Sequence, residues 1–243
     1  MKTLVIIPSR LSATRLPGKP LLKVNGLSII SHVFKKAEEA NIGEVIVAAE
    51  DQEIVDDVKK NGFNAILTSK KHKTGTDRIY EAFLKSNIKN VDLIMNLQGD
   101  EPVIEVQDLI GLNDKMLKNQ SSLGTLAGII KDNEYLKNEN IVKVITEKKL
   151  EDNHFPRAVS FLRKSESINN IYHHIGVYCY SKDILKKFIN LSQSKNEIEN
   201  RLEQLRALDN NIDINVSLAQ STPIGVDTKE DYIALKKIME YKN

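Results

Sequence analysis

The stretch VIIPSRLSATRLPGKPL, residues 5–21, joins an apolar run to a loop that carries three positive charges. The apolar run has the composition of a buried strand and ends at Pro8. The loop contains Arg10, Arg15 and Lys19 and shows no helical or strand periodicity. A surface loop needs polar residues but not three fixed cations, so this loop is a candidate binding site for an anion.

The first half of the chain alternates strand-like and helix-like segments, which is typical of a parallel sheet with crossover helices. The strand-like segments are residues 3–9, 44–50 and 64–69, together with residues 91–102, a strand that runs into a polar turn. The helix-like segments are residues 28–40, 51–62 and 76–86. Ser28 is expected to cap the first of these helices, and Gly62 is expected to end the second. We therefore predict an α/β fold with a mostly parallel, Rossmann-like sheet that helices flank.

The second half is less regular. Its strand-like segments are residues 122–130, 140–147, 173–180 and 213–220. Its helix-like segments are residues 182–191, 196–211 and 228–243. No Gly/Ser-rich linker separates the two halves, so we predict a single domain over residues 1–243. A smaller inserted lobe is expected within it, at roughly residues 123–215.

Composition limits the classes of partner. The 243 residues are 41% hydrophobic, and 35 Lys and Arg against 33 Asp and Glu leave a net charge of +2. Such a balance provides no general attraction to nucleic acid or membranes. No apolar run approaches the ~20 residues that span a bilayer, and the run before Pro8 is too short for a signal peptide. With Cys179 as the only cysteine, we expect a soluble cytoplasmic protein without an intrachain disulfide.

A second unusual loop, NLQGDEP (residues 96–102), follows a later strand. In open α/β sheets, ligands bind beyond the carboxyl ends of the strands, so the basic loop and this acidic turn are expected on one rim. The pattern fits a triphosphate held by the cations and a Mg²⁺ ion held by Asp100. An isolated Asp after a strand is also a common turn residue, and a basic loop can be a solvated surface. The chain matches neither the P-loop nor the Gly-x-Gly-x-x-Gly pattern.

The motifs together resemble one family. Along nearly its whole length the chain is similar to the 3-deoxy-manno-octulosonate (Kdo) cytidylyltransferases, also called CMP-Kdo synthetases, which are nucleotidyltransferases. The similarity is carried by PSRLSATRLPGKPL (8–21), GTDRIYEA (75–82), NLQGDEP (96–102), NIVKVI (140–145), HHIGVYCYS (173–181), RLEQLRAL (201–208) and IGVDTKED (224–231).

The resemblance implies a reaction. The anomeric hydroxyl of Kdo attacks the α-phosphorus of CTP, which releases pyrophosphate and forms CMP-Kdo for lipopolysaccharide biosynthesis. It also implies a homodimer and a Mg²⁺ ion held by Asp100 and Asp227, although Asp227 is equally well suited to cap the last helix.

The resemblance also implies roles for individual residues. The catalytic group is Arg10, Lys19, Asp100 and Asp227. The nucleotide-binding group is Arg10, Arg15, Lys19, Thr74, Gly75, Arg78 and Gln98. The sugar-binding group is Gln98, Arg157, His174, Glu203 and Gln204. Arg157 would pair with the Kdo carboxylate, while His174, Glu203 and Gln204 would bond its hydroxyls.

Three alternatives remain open from the sequence. Around Arg157 the chain reads HFPRAVSFLRKS, which departs from the family pattern of Phe-Ser-Arg followed by a Pro-aromatic pair. A related sugar acid, such as the 8-amino analogue of Kdo, is therefore an alternative substrate. A second alternative is a cytidylyltransferase for another sugar acid, for example sialic acid. A non-catalytic nucleotide-binding module on the same fold is the alternative from another functional class.

Overall fold

The computed structural model of the protein describes residues 2–12, 15–132, 134–166, 169–223 and 225–240. The chain forms two compact units. Unit 1 consists of Met1–Val106 and Pro223–Asn243, and unit 2 consists of Gln107–Thr222, so unit 2 is inserted in the chain between two segments of unit 1. The lobe expected at residues 123–215 falls within unit 2. Its expected roles in sugar binding and dimerisation stay predictions. No described helix is long and apolar enough to cross a membrane.

Unit 1 is built on a parallel sheet. Its strands are β1 (Thr3–Ser9), β2 (Lys23–Val24), β3 (Leu27–Ser28), β4 (Gly43–Ala49), β5 (Ala65–Leu67) and β6 (Leu93–Asn96). Strands β6, β1, β4 and β5 lie side by side in that order, and all run parallel, whereas β2 and β3 form a separate antiparallel hairpin. The side chains of residues 4–7 in β1 are fully buried, as expected of a strand covered on both faces. This part of the fold prediction is confirmed.

The helices of the first segment begin and end where local chemistry predicts. They are a 3-10 helix (Lys19–Leu21), α1 (Ile29–Glu39), α2 (Gln52–Lys60) and α3 (Gly75–Lys85). The Ser28 side chain caps α1 by accepting a hydrogen bond from the backbone N–H of Ser31. Gly62 follows α2 with a φ of 84°, a left-handed conformation that glycine adopts without strain. Both expectations are confirmed.

Unit 2 contains a mixed sheet and shorter helices. Its elements are α4 (Val106–Asn119), β7 (Leu123–Gly128), α5 (Glu134–Lys137), β8 (Lys143–Thr146), β9 (Ala158–Leu162), β10 (Ile171–Ser181), α6 (Lys182–Ile189), α7 (Lys195–Asn200), α8 (Leu205–Asp209) and β11 (Asn215–Leu218). The strand order is β11, β7, β10, β8, β9. Only the pair β11–β7 is parallel among these described strands.

The chain then returns to unit 1 and ends its described part in α9 (Lys229–Glu240). Leu235 of this helix is buried in an apolar cluster with Val24, Ile29 and Val226. The C-terminal segment is thereby packed against the hairpin and helix that follow the basic loop. The predicted helix extended to residue 243, and residues 241–243 lie outside the described part of the chain.

The single helix predicted at residues 196–211 is wrong. Arg201 adopts a φ of 54°, a left-handed conformation that ends α7, and α8 begins only at Leu205. The guanidinium of Arg206 donates two hydrogen bonds to the Glu197 carboxylate, at 2.8 and 2.5 Å, which holds the two short helices together. Glu203 and Gln204 therefore lie in the turn between helices rather than on the solvated face of one helix.

Candidate functional site

The basic loop closes in a turn that fixes the base of Lys19. Gly18 has a φ of 68° and precedes the 3-10 helix, in which Pro20 supplies the preset φ of an early helical position. The backbone N–H of Gly18 donates to the carbonyl of Leu11 at 3.2 Å, so the two ends of the loop are tied together. Lys19 is the first residue after this closure, and its side chain starts from a defined position.

The ammonium of Lys19 lies between two carboxylates from distant parts of the chain. Its Nζ is 2.8 Å from Oδ2 of Asp100 and 3.0 Å from Oδ1 of Asp227. Its side chain is only 12% exposed. Burial opposes the charged form, but the attraction of Asp100 and Asp227 outweighs it, so the pKa of Lys19 is raised and the ammonium stays charged. Lys19, Asp100 and Asp227 thus form one ionic cluster.

Asp227 has a second cationic partner and a braced backbone. Its Oδ2 lies 3.0 Å from the guanidinium of Arg15, and both side chains are about half exposed. The Asp231 carboxylate accepts hydrogen bonds from the backbone N–H groups of Asp227 and Thr228, at 3.0 and 2.8 Å. The Thr228 hydroxyl in turn accepts from the N–H of Asp231. Thr228 and Asp231, rather than the Asp227 side chain, therefore provide the capping contacts at the start of α9.

A cavity of 410 Å³ within unit 1 brings the predicted nucleotide-side residues together. It is lined by all nine predicted catalytic and nucleotide-binding positions, namely Arg10, Arg15, Lys19, Thr74, Gly75, Arg78, Gln98, Asp100 and Asp227. Eight of them follow β1, β5 and β6, at the carboxyl ends of parallel strands, where ligands of such sheets bind, and Asp227 comes from the segment that precedes α9.

Arg78 lines the cavity, but its guanidinium is bonded to other residues of the protein. Its side chain is 3% exposed and forms an ion pair with Glu50, which follows β4. It also donates to the Thr68 hydroxyl at 2.7 Å and to the Ser69 carbonyl at 3.1 Å. These bonds anchor the loop that precedes α3, because a buried guanidinium needs such partners. The contacts of Arg78 therefore favour a role in positioning this loop.

His72 is a cavity residue that the sequence analysis did not single out. Its ring bonds to the Glu81 carboxylate, which also accepts from the Ser69 backbone N–H at 2.9 Å and pairs with Lys85 at 2.7 Å. The desolvation cost of Glu81 is outweighed by the hydrogen bonds from Lys85, Ser69 and His72, so its pKa is lowered to about 2. A histidine inside a loop of mixed polar residues gave no local signal of this partnership.

Asp100 and Asp227 are a chemically suitable pair for a divalent cation. Both carboxylates already converge on one positive charge, that of Lys19. Magnesium prefers one or two protein carboxylates and completes its shell with water and substrate phosphate oxygens. Among the described residues, no group of three or more His, Cys, Asp or Glu side chains is arranged to hold a metal.

Arg157, the predicted partner of the sugar carboxylate, lies in unit 2 just before β9. Its side chain is 55% exposed and pairs with Glu147 at 3.0 Å and with Asp213 at 3.5 Å. Hydrogen bonding to Glu147 and the two negative charges raise the pKa of Arg157 further. The guanidinium is thus solvent-accessible but already has two anionic partners.

The other sugar-side candidates cluster around β10. His174 is buried, contacts the Thr125 hydroxyl at 3.0 Å and packs edge-on against Phe161. Burial, with a smaller contribution from His173, lowers the pKa of His174 to about 3. The ring of Tyr178, which was not predicted, lies 5.4 Å from that of His174. Burial, Tyr180 and then Glu203 raise the pKa of Tyr178.

Gln204 is 9% exposed and precedes α8. His174 thus has Tyr178 as an aromatic neighbour, whereas the ion pairs of Arg157 are with Glu147 and Asp213. No local pattern could identify Tyr178, because a tyrosine in an apolar strand is usually a core residue.

Known proteins with similar sequences share one name. Residues 4–214 match a family model described as cytidylyltransferase. The chain is 40% identical to a 3-deoxy-manno-octulosonate cytidylyltransferase of Thermodesulfovibrio yellowstonii, with 98% of each protein covered. It is 38% identical to a protein of the same name from Rhizobium meliloti, with 98% of this chain and 96% of the relative covered.

Solved structures give the same result. CMP:2-keto-3-deoxy-manno-octonic acid synthetase complexed with CTP has a TM-score of 0.91 and 31% sequence identity, with 100% of both chains covered. A UTP-bound UGPase from Acinetobacter baumannii has a TM-score of 0.70 at 14% identity, over 100% of this chain and 95% of the other, a likeness of fold alone. The predicted nucleotidyltransferase type of fold is confirmed.

The buried His174 makes the stability of the protein depend on pH. Its pKa of about 3 in the folded state lies below the ordinary value of 6.5. Between these pH values the unfolded chain binds a proton here that the folded protein excludes, so the free energy of unfolding falls as pH falls. The contribution approaches about 1.4 kcal/mol per pH unit in the middle of this range.

Replacing His174 by Gln should remove this contribution, as measured by urea unfolding at several pH values between 7 and 4. His154→Gln is the control, because His154 is half exposed. An equal pH dependence of wild type and His174→Gln would contradict the burial of a neutral ring.

Proposed function

The chain belongs to the 3-deoxy-manno-octulosonate cytidylyltransferase family, and we propose that it transfers CMP from CTP to Kdo, giving CMP-Kdo and pyrophosphate. The observation that carries this proposal is the convergence of Arg10, Arg15 and Lys19 with Asp100 and Asp227 around one cavity. Cations that converge with two carboxylates are suited to a nucleoside triphosphate and its metal ion.

The cationic side chains would neutralise the charge that develops during the transfer. When the sugar hydroxyl attacks the α-phosphorus, negative charge builds on the phosphoryl oxygens and on the leaving pyrophosphate. Lys19 is held charged and nearly buried, so its field is weakly screened by solvent. Arg15 is half exposed and would engage the triphosphate from the open side. On CTP binding, the phosphate oxygens would replace carboxylates as partners of these two cations.

Asp100 and Asp227 would hold Mg²⁺. When bound, this ion supplies Lewis-acid polarisation of the phosphate and helps to orient it. Asp231 would maintain the orientation of Asp227 through its two backbone hydrogen bonds. Gln98, Thr74 and Gly75 would contact the nucleotide from the loops that follow β6 and β5. Selectivity for cytosine over uracil rests on family membership, because a main-chain carbonyl is sufficient to accept from the exocyclic amine.

The sugar side is proposed to involve Arg157, His174, Glu203 and Gln204, with Gln98 also contacting the sugar. Because His174 is neutral at pH 7, it can donate or accept a hydrogen bond but adds no charge. Recognition of the Kdo carboxylate would therefore depend on Arg157, whose guanidinium can form a bidentate pair. The substrate carboxylate would compete with Glu147 and Asp213 for it.

We also propose that the enzyme acts in the cytoplasm as a homodimer that provides CMP-Kdo for lipopolysaccharide biosynthesis. The single, buried thiol of Cys179 is compatible with a reducing compartment. Light scattering coupled to size exclusion measures the oligomeric state directly.

The function is tested by pyrophosphate release from CTP, UTP, ATP and GTP with a panel of Kdo, 8-amino-Kdo and sialic acid. The expected pair is CTP and Kdo, with kcat/KM at least about tenfold above every other pair, which corresponds to 1.4 kcal/mol of transition-state discrimination. A higher kcat/KM with another sugar acid would identify that acid, rather than Kdo, as the substrate. No pyrophosphate release with any pair would favour the non-catalytic module.

Asp100→Asn tests the metal role. The variant keeps the size of the side chain but loses its charge, so turnover should fall by at least about 100-fold while the melting temperature stays near that of the wild type. Asp56→Asn, at an exposed position of α2, is the control. Wild-type turnover of Asp100→Asn at saturating Mg²⁺ would reject the assignment.

Arg157→Ala tests the carboxylate role. The KM for Kdo should rise by about tenfold or more, whereas the KM for CTP should change by less than about twofold, because only the sugar acid loses a charged hydrogen bond. Lys149→Ala removes an exposed cation from the same unit and serves as the control. Equal increases in both Michaelis constants would contradict this role of Arg157.

A further inference from the structure

Asp51 makes a contact that its place in the chain does not explain. It follows β4 and occupies the N-cap position of α2, yet its side chain makes no capping hydrogen bond to that helix. An N-cap Asp usually accepts from the second or third N–H of its own helix. Here Oδ2 instead accepts from the backbone N–H of Leu11, at 2.8 Å, 40 positions earlier in the chain. The carboxylate is largely buried, with 13% of the side chain exposed.

The bond to Leu11 leads through the backbone to Lys19. The carbonyl of Leu11 accepts from the N–H of Gly18 at 3.2 Å. Gly18, in its left-handed conformation, is followed directly by Lys19, whose ammonium lies between Asp100 and Asp227. A displacement of Leu11 would remove one end of the Leu11–Gly18 closure, and the base of Lys19 would lose its fixed position.

Asp51 also contacts the loop that follows β5. Its Oδ1 lies 3.3 Å from Nζ of Lys70, whose side chain is 73% exposed. An ion pair with so exposed a lysine contributes little, because water and salt screen it. The partly buried bond to Leu11, a charged acceptor with a backbone donor, is the stronger of the two contacts.

We propose that Asp51 is a positioning residue for the basic loop. Its carboxylate fixes the loop at Leu11 and so holds Lys19 in position for phosphoryl transfer. The inference rests on the proposed function, since Lys19 acts there on the triphosphate. Asp51 itself is not among the residues that line the cavity.

A purely electrostatic role of Asp51 predicts a different effect of its removal on CTP binding. Asp51 adds a negative charge near a loop that binds an anion, so its removal would strengthen CTP binding if charge alone mattered. It would do so equally in Asp51→Ala and Asp51→Asn, because both variants lose the charge. A positioning role separates the two variants, because the Asn side-chain oxygen still accepts from the Leu11 N–H.

The test combines amide hydrogen exchange in the nucleotide-free protein with steady-state kinetics for wild type, Asp51→Ala, Asp51→Asn and Lys70→Ala. Asp56→Ala is the matched control, since Asp56 is an exposed carboxylate of α2 that accepts a hydrogen bond from Gln52 of the same helix. In Asp51→Ala the Leu11 amide should exchange at least about tenfold faster, and kcat should fall by about tenfold at an unchanged KM for Kdo. Asp51→Asn should stay within about threefold of the wild type in both measurements. Lys70→Ala and Asp56→Ala should match the wild type.

Equal effects of Asp51→Ala and Asp51→Asn, or tighter CTP binding by both, would overturn the proposal. So would wild-type exchange at Leu11 in Asp51→Ala. A further measurement needs no variant: rapid exchange of the Leu11 amide in the folded wild-type protein would equally overturn it. Hydrogen exchange does not require turnover. If the wild-type protein were inactive but the Leu11 amide still exchanged faster in Asp51→Ala, the proposed function would be rejected and the Asp51–Leu11 contact would be retained.

Discussion

The cavity of unit 1 contains one ionic cluster on which the proposed nucleotide site depends, the ammonium of Lys19 between the carboxylates of Asp100 and Asp227. Two carboxylates brought this close would repel each other without a cation between them. Lys19 neutralises them and is nearly buried, which strengthens the attraction relative to a surface pair. The ionic partners in such a cluster can be exchanged. A metal ion that binds the two carboxylates would release the ammonium of Lys19 to bind anionic oxygens.

Polar contacts restrain the segments that carry the cluster and line the cavity. Arg78 is anchored to Glu50 and in turn holds the loop before α3. Asp231 fixes the backbone that carries Asp227, and Asp51 fixes the basic loop at Leu11. Loops are mobile unless such bonds restrain them, and preorganised charges stabilise a transition state without reorganisation during the reaction. These contacts restrain the loops that carry the proposed phosphate site.

The candidate sugar-side residues of unit 2 include neutral groups, unlike the ionic cluster of unit 1. Its buried His174 is neutral, its Tyr178 retains its proton, and Arg157 is an accessible cation paired with two carboxylates. A sugar acid presents many hydroxyls and one carboxylate, so neutral hydrogen-bonding groups and a single strong cation match its needs. The buried pair of Glu197 and Arg206 holds the turn with Glu203 and Gln204 in place.

The sequence by itself determined the alternation of β1, α1, β4, α2, β5, α3 and β6, because apolar periodicity, the Ser28 cap and the Gly62 stop are local signals. It also determined that the basic loop and the Asp100 turn share one rim, since the carboxyl ends of parallel strands lie at the same edge of a sheet. The spacing of Leu109, Leu112 and Met116 carried a helical signal for α4 that was overlooked. Only the tertiary structure decided that the 196–211 segment breaks at Arg201, that Asp51 bonds to Leu11 rather than to its own helix, and that His72 joins Glu81. The physical reason is range: local patterns report how neighbouring residues interact, whereas these bonds depend on which distant segments the strand order brings together.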